Sequence, residues 1–195
     1  MAGSYDRRIA LLVVDVQNDF ADPDGSLYVR DADSVIDVCN GEIEVATDAG
    51  AIVVYTQDWH PPDTPHFAKD GGIWPVHCVG GTWGAELHPR LEVAGEAVRK
   101  GSGGEDGYSA FSQVHPTTGD RTPTALHELL QSRGVEGVVV VGLATDYCVK
   151  ETALDALRLG YGATVLTDGI RPVEVEPGDG KRALDAMAAA GVALG

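Results

Sequence analysis

The residues with the most chemical potential lie far apart in the chain. Cys148 closes the stretch Gly142-Leu143-Ala144-Thr145-Asp146-Tyr147-Cys148, directly behind a valine-rich run. A cysteine in the first turn of a helix meets unpaired amides and the positive end of the helix dipole, which favour a thiolate and can hold an oxyanion. Lys100 is expected to lower the thiol pKa further, and Asp15, in Val-Asp-Val-Gln-Asn-Asp-Phe, to take its proton. Asp58 and His60 are two residues apart, so an extended backbone points both side chains to one face, and His66 and His77 follow. One carboxylate and up to three imidazoles suit zinc, iron or manganese with positions left open.

Taken one at a time, each of these residues has an ordinary reading. A buried cysteine packs as a small apolar group, a strand-end carboxylate is solvated, and loop histidines make hydrogen bonds. Lys100 precedes Gly101, Gly103 and Gly104, but Gly-Ser-Gly-Gly is not a dinucleotide fingerprint, and the acidic Glu105 and Asp106 argue against phosphate. Cys39 and Cys78 are read as packing residues.

The elements around these residues explain how they can meet. Arg8 to Val14, Ala51 to Thr56, the weaker Ala97 to Arg99, and Val135 to Val141 read as strands, with Ala163 to Thr167 and an edge strand at Val192 to Leu194 following. Helical spacing marks Asp33 to Ala49. A further helix is capped by Thr122 with Pro123 in its first turn and ends at Gly134; another is capped by Thr145 and ends at Gly160; the last covers Lys181 to Ala190. Alternation of this kind predicts a three-layer α/β/α fold around a central, mostly parallel six-stranded sheet, in one domain spanning 1–195. Ligands of open α/β sheets bind outside the carboxyl ends of the strands. Asp15, Asp58 with His60, Lys100 and the turn leading to Cys148 all fall at such ends. The irregular segment from Trp59 to about Arg90, rich in proline, glycine and aromatics, is the expected place for the pocket.

Composition narrows the partners. With 14 Lys+Arg against 30 Asp+Glu, the formal charge of -16 repels nucleic acid and anionic membranes. Ile9 to Val14 is too short for a signal segment or a membrane span, and three cysteines form no disulfide framework, so a cytoplasmic protein is expected. Whether copies associate as a homo-oligomer is left open.

Five stretches in order, Val13-Val14-Asp15-Val16-Gln17-Asn18-Asp19-Phe20, Asp58-Trp59-His60, Trp74-Pro75-Val76-His77-Cys78-Val79, Arg99-Lys100-Gly101 and Gly142 to Val149, resemble the nicotinamidase/pyrazinamidase group of the isochorismatase-like cysteine hydrolases. The likeness runs over nearly the whole chain. It implies that Asp15, Lys100 and Cys148 are catalytic, that Asp58, His60 and His77 hold a divalent metal, zinc first and iron or manganese next, and that His66 matches a ligand found in part of the group. Phe20, Leu27, Trp74, Tyr108, Ala144, Thr145 and Tyr147 would border a flat aromatic amide. A cis peptide between Leu143 and Ala144 would aim the Ala144 and Cys148 amides at one oxyanion. Tyr147 stands where some members have His, and the loop between Lys100 and Tyr108 is acidic and slightly long. The implied reaction converts nicotinamide to nicotinate and ammonia in NAD salvage, with pyrazinamide as a further substrate. The alternatives are another hydrolase of the superfamily, acting on a different amide or an ether, and a metal-binding module without catalysis.

Overall fold

The computed structural model describes residues 3–195. Eight strands form, β1 (Ile9–Val14), β2 (Ile52–Asp58), β3 (Glu96–Lys100), β4 (Ser112–Val114), β5 (Arg121–Pro123), β6 (Gly137–Leu143), β7 (Gly162–Arg171) and β8 (Ala193–Leu194). Six of them make one sheet in the order β3-β2-β1-β6-β7-β8, with every pairing parallel. Parallel strands need crossovers, and those crossovers cover both faces with helices. This is why β6 is buried along its full length and β1 is buried from Ala10 onward.

The helices are α1 (Asn18–Ala21), α2 (Ala32–Asp48), α3 (Leu126–Ser132), α4 (Lys150–Arg158) and α5 (Asp179–Ala190). One apolar cluster packs alternate residues of the sheet, such as Leu11, Val13 and Val141, against Val35, Ile36, Cys39 and Ile43 of α2. The opposite face packs Leu12, Val14 and Val140 against Leu126, Leu130, Ala153, Ala156 and Met187 of α3, α4 and α5. No helix among the described residues is long and apolar enough to cross a membrane.

From β1 the chain moves outward to β2 and β3, then returns to lay β6 on the other side of β1. This reversal leaves a crevice at the carboxyl ends of β1 and β6. Gly142 lies beside it with φ +111, and a Cβ there would sit 2.1 Å from the Val14 carbonyl oxygen, so only glycine lets the two strand ends close up.

Three local expectations differ from what forms. Thr122 and Pro123 do not open α3; they belong to β5, which pairs antiparallel with β4, and the helix begins at Leu126. Thr-Pro before leucines imitates a cap followed by a first turn, but the proline here ends a short strand and donates nothing to a ladder. Thr145 does not cap a regular helix: Thr145–Val149 is one π-helical turn ahead of α4, and the Thr145 hydroxyl is buried without a hydrogen-bond partner. β7 extends to Arg171, past the expected end at Thr167, because a register shift opposite Val140 and Gly142 lets Ile170 and Arg171 pair with the end of β6.

Candidate active site

Asp15 follows β1 in a left-handed backbone conformation, φ 50, and is fully buried. Thr56 of β2 donates a hydrogen bond of 2.6 Å to its Oδ1. Lys100 closes β3 with no exposed side-chain surface, and its ammonium donates to Asp15 Oδ2 at 2.7 Å, Asp58 Oδ1 at 2.5 Å and the Gly107 carbonyl at 2.5 Å. Cys148 Sγ stands 3.8 Å from the same nitrogen. Three separate strand ends and the turn after β6 therefore deliver acid, cation and thiol to one point. The peptide bond between Leu143 and Ala144 is cis.

Charge and burial decide the protonation states. Burial works against ionisation of Asp58, but the Lys100 ammonium outweighs it and holds this carboxyl well below the usual range. At Asp15 burial wins: its carboxyl is pushed up despite Lys100, with the Asp58 charge adding to the effect. The two nearby carboxylates keep Lys100 charged although it is buried.

Cys148 departs from expectation. Burial, helped by Asp15 and Asp58, pushes its thiol well up, and Lys100 offsets only part of this. The helix start and the cation do not yield a standing thiolate; the resting group is a thiol beside a carboxyl whose affinity for protons is raised.

Asp58 also faces the other way. Its Oδ2 lies 3.8 Å from His60 Nε2 and 4.0 Å from His77 Nε2. One ligand atom each from His60, His66 and His77 lie within 4.8 Å of one another. His60 is 1% exposed, and both of its ring nitrogens are without hydrogen-bond partners. Such orphaned nitrogens are costly unless something takes their lone pairs. Burial lowers His66 and His77, the latter to about 4, so these two imidazoles are neutral with a lone pair to offer. Three imidazoles with a carboxylate at their edge fit a divalent ion that accepts nitrogen and oxygen.

The surrounding scaffold was not legible residue by residue. Gln17 accepts from the Asp58 amide and donates to the Asp58 and Ala85 carbonyls, each at 2.8 Å, which pins the end of β2 to the long loop. Asp19 accepts from the Cys78 amide at 2.6 Å, folding the His77 segment inward. Cys78 and Cys39 are fully buried among apolar neighbours. Asp106 holds His66 Nδ1 at 2.6 Å and is tied to Val114 of β4 through both its backbone groups. The Gln17 and Asp19 signal was present in the motif around Asp15; nothing in the sequence pointed to Asp106.

Beside the sulfur is a cavity walled by Phe20, Leu27, Trp74, Tyr108, Ala144 and Tyr147, with Asp58, His66, His77 and Cys148 reaching it. The Trp74 indole donates to the Tyr108 hydroxyl at 2.7 Å, which fixes two aromatic walls against each other. Thr145, expected in this wall, is not part of it, whereas Val173, which the sequence did not single out, is. An aromatic-walled slot with a thiol at one side and imidazoles at another suits a flat heteroaromatic molecule bearing a carbonyl group.

The isochorismatase domain model matches residues 9–194. The nicotinamidase of Escherichia coli strain K12 is 41% identical over 203 residues, covering 95% of this chain and 93% of the relative. A pyrazinamidase of Pyrococcus horikoshii, solved in complex with zinc, superposes with a TM-score of 0.85 at 36% identity, covering 96% of this chain and 98% of the other. PnC1 from L. infantum, solved in complex with nicotinate, superposes with a TM-score of 0.89 at 34% identity, covering 100% and 96%.

Proposed function

Because the chain belongs to the isochorismatase domain family, and is most like its nicotinamidases among the relatives above, we propose that it hydrolyses the carboxamide of nicotinamide, giving nicotinate and ammonia. The observation that carries this reading is the meeting of Lys100 with Asp15 at 2.7 Å and with Cys148 at 3.8 Å, beside an aromatic-walled cavity. Pyrazinamide, equally flat and with the same amide, is the second substrate. Asp58, His60, His66 and His77 would hold one divalent ion, zinc in the first place and iron or manganese by the same donor set. Bound there, such an ion would supply Lewis acidity that helps orient the pyridine ring. The zinc of the Pyrococcus relative supports this choice.

Phe20, Trp74, Tyr108 and Tyr147 stack around the ring and turn the carboxamide carbon towards Cys148. Asp15 takes the thiol proton as the sulfur attacks, and Lys100 stabilises the resulting pair of charges. Proton transfer and attack go together, since the buried thiol does not ionise beforehand. The Ala144 and Cys148 amides, one just before the π-helical turn and one within it, hold the developing oxyanion. Asp15 returns the proton to the departing nitrogen, ammonia leaves and a thioester remains. Water then attacks that thioester with Asp15 as base, releasing nicotinate and restoring the thiol. The reaction belongs to NAD salvage in the cytoplasm; no nucleic acid or membrane is needed as a partner.

An ammonia assay on nicotinamide, with and without a chelator, tests the reading. Release that the chelator abolishes and added zinc restores is expected. Cys148→Ser should retain ligand binding and lose most turnover, because the hydroxyl is a far weaker nucleophile. Normal turnover in that variant, or folded metal-loaded protein inert to nicotinamide, would overturn it.

A further inference from the structure

Val173 stands just beyond β7, 25 residues along the chain from Cys148, yet it shares the cavity wall with Phe20 and Leu27. What brings it there is Asp146, two residues before the nucleophile and 5% exposed. Its Oδ1 accepts the Val173 amide and its Oδ2 the Glu174 amide, both at 2.9 Å. Glu174 itself is left-handed, φ 58, and its carboxylate accepts the Gly178 and Gly180 amides at 2.7 and 2.9 Å where α5 begins. Two carboxylates thus hold the segment from both ends. Charge-assisted bonds to backbone amides are strong, and a buried loss leaves the donors stranded.

We infer that Asp146 is a positioning residue, which locks the Val173 wall to the nucleophile's own turn and so sets the ring size the cavity admits. This inference rests on the amide-hydrolase reading above. Because wall and sulfur hang from one turn, Asp146 sets where Val173 stands relative to Cys148, and a ring methyl directed at Val173 is expected to meet its side chain where a bare six-membered heteroaromatic carboxamide does not. Glu174, the next residue along the chain, keeps the segment from relaxing outward. The specificity determinant is therefore a pair, one residue touching the ring and one holding that residue in place.

The test compares kcat/KM for nicotinamide with that for its ring-methylated isomers in the metal-loaded enzyme. Val173→Ala should shift the ratio roughly tenfold in favour of at least one methylated isomer, the usual worth of a methyl in a pocket, mainly through KM. Asp146→Asn, which can accept only one of the two amides, should shift the ratio the same way, and the double variant should go no further than Val173→Ala alone. An active enzyme whose ratio is unmoved by Val173→Ala overturns this inference and leaves the amidase reading intact. A ratio unmoved by folded Asp146→Asn also overturns it. Should Asp146→Asn fail to fold, amide hydrogen exchange in the unaltered protein decides: slow exchange at Val173 and Glu174 is expected, and rapid exchange there overturns the clamp. A wild-type enzyme inert to every pyridine carboxamide sinks both readings together.

Discussion

Each charged side chain at the centre of the site depends on another for its state. Lys100 faces two carboxylates away from the protein surface, and Asp58 faces both that ammonium and the histidines. Removing the cation leaves like charges side by side in a low-dielectric site, so Lys100→Met should cost about 3–5 kcal/mol of folding stability, as for other broken buried pairs. Urea unfolding of the purified variant measures it, and an unchanged midpoint would mean that only one carboxylate is ionised. Asp106 acts on His66 in a comparable way, orienting its ring through Nδ1 and leaving Nε2 for the ion. Asp106→Ala should weaken zinc binding by roughly 10- to 100-fold, read by competition with a fluorescent chelator; equal affinity would show that His66 needs no such partner. Lys100 was visible in the sequence through its place after a strand, whereas Asp106 sits in an acidic loop whose residues spoke only against phosphate binding.

At the scale of elements, the site is a set of strand ends brought level by register. Asp58 of β2 lies opposite Lys100 of β3, and Val14, just before Asp15, lies opposite Gly142, six residues before Cys148. The turn after β3 must then pass close to a histidine: Gly101 has φ +76, and a Cβ there would stand 2.6 Å from the His60 ring. Gly101→Ala should therefore displace His60 and lower zinc affinity and thermal stability together, the left-handed backbone alone costing about 1–2 kcal/mol. A variant with lower stability and undisturbed zinc binding would separate the two effects. The β4–β5 hairpin steadies the same turn, since the Gln113 side chain accepts the Gly101 amide at 2.5 Å. Its short, partly polar strands carry too little alternation to be read from sequence, and Thr122 and Pro123 pointed to a helix.

For the whole molecule, burial of neutral histidines links folding to acidity. An unfolded imidazole titrates near 6.5, whereas burial holds His77 at about 4. Between those values the unfolded chain binds the extra proton, so stability of the metal-stripped protein rises with pH across this window and is lost as pH falls. The unfolding free energy of stripped protein, read from urea titrations, should fall between pH 7 and pH 5, by at most about 1.4 kcal/mol per pH unit for each such histidine. A flat response would show that His77 is not held neutral. The alternation of the sheet is readable along the chain, because a strand buried on both faces must be apolar throughout and its covering helices must repeat on one side. So are the residues at the strand ends, since side-chain type and the break in apolar pattern are local facts. The environment came from the packing: that Asp58 serves Lys100 and the histidines at once, that burial raises the thiol, and that Val173 closes the wall. Those outcomes depend on distances between segments far apart in the chain and on how completely water is excluded, and no local pattern encodes either.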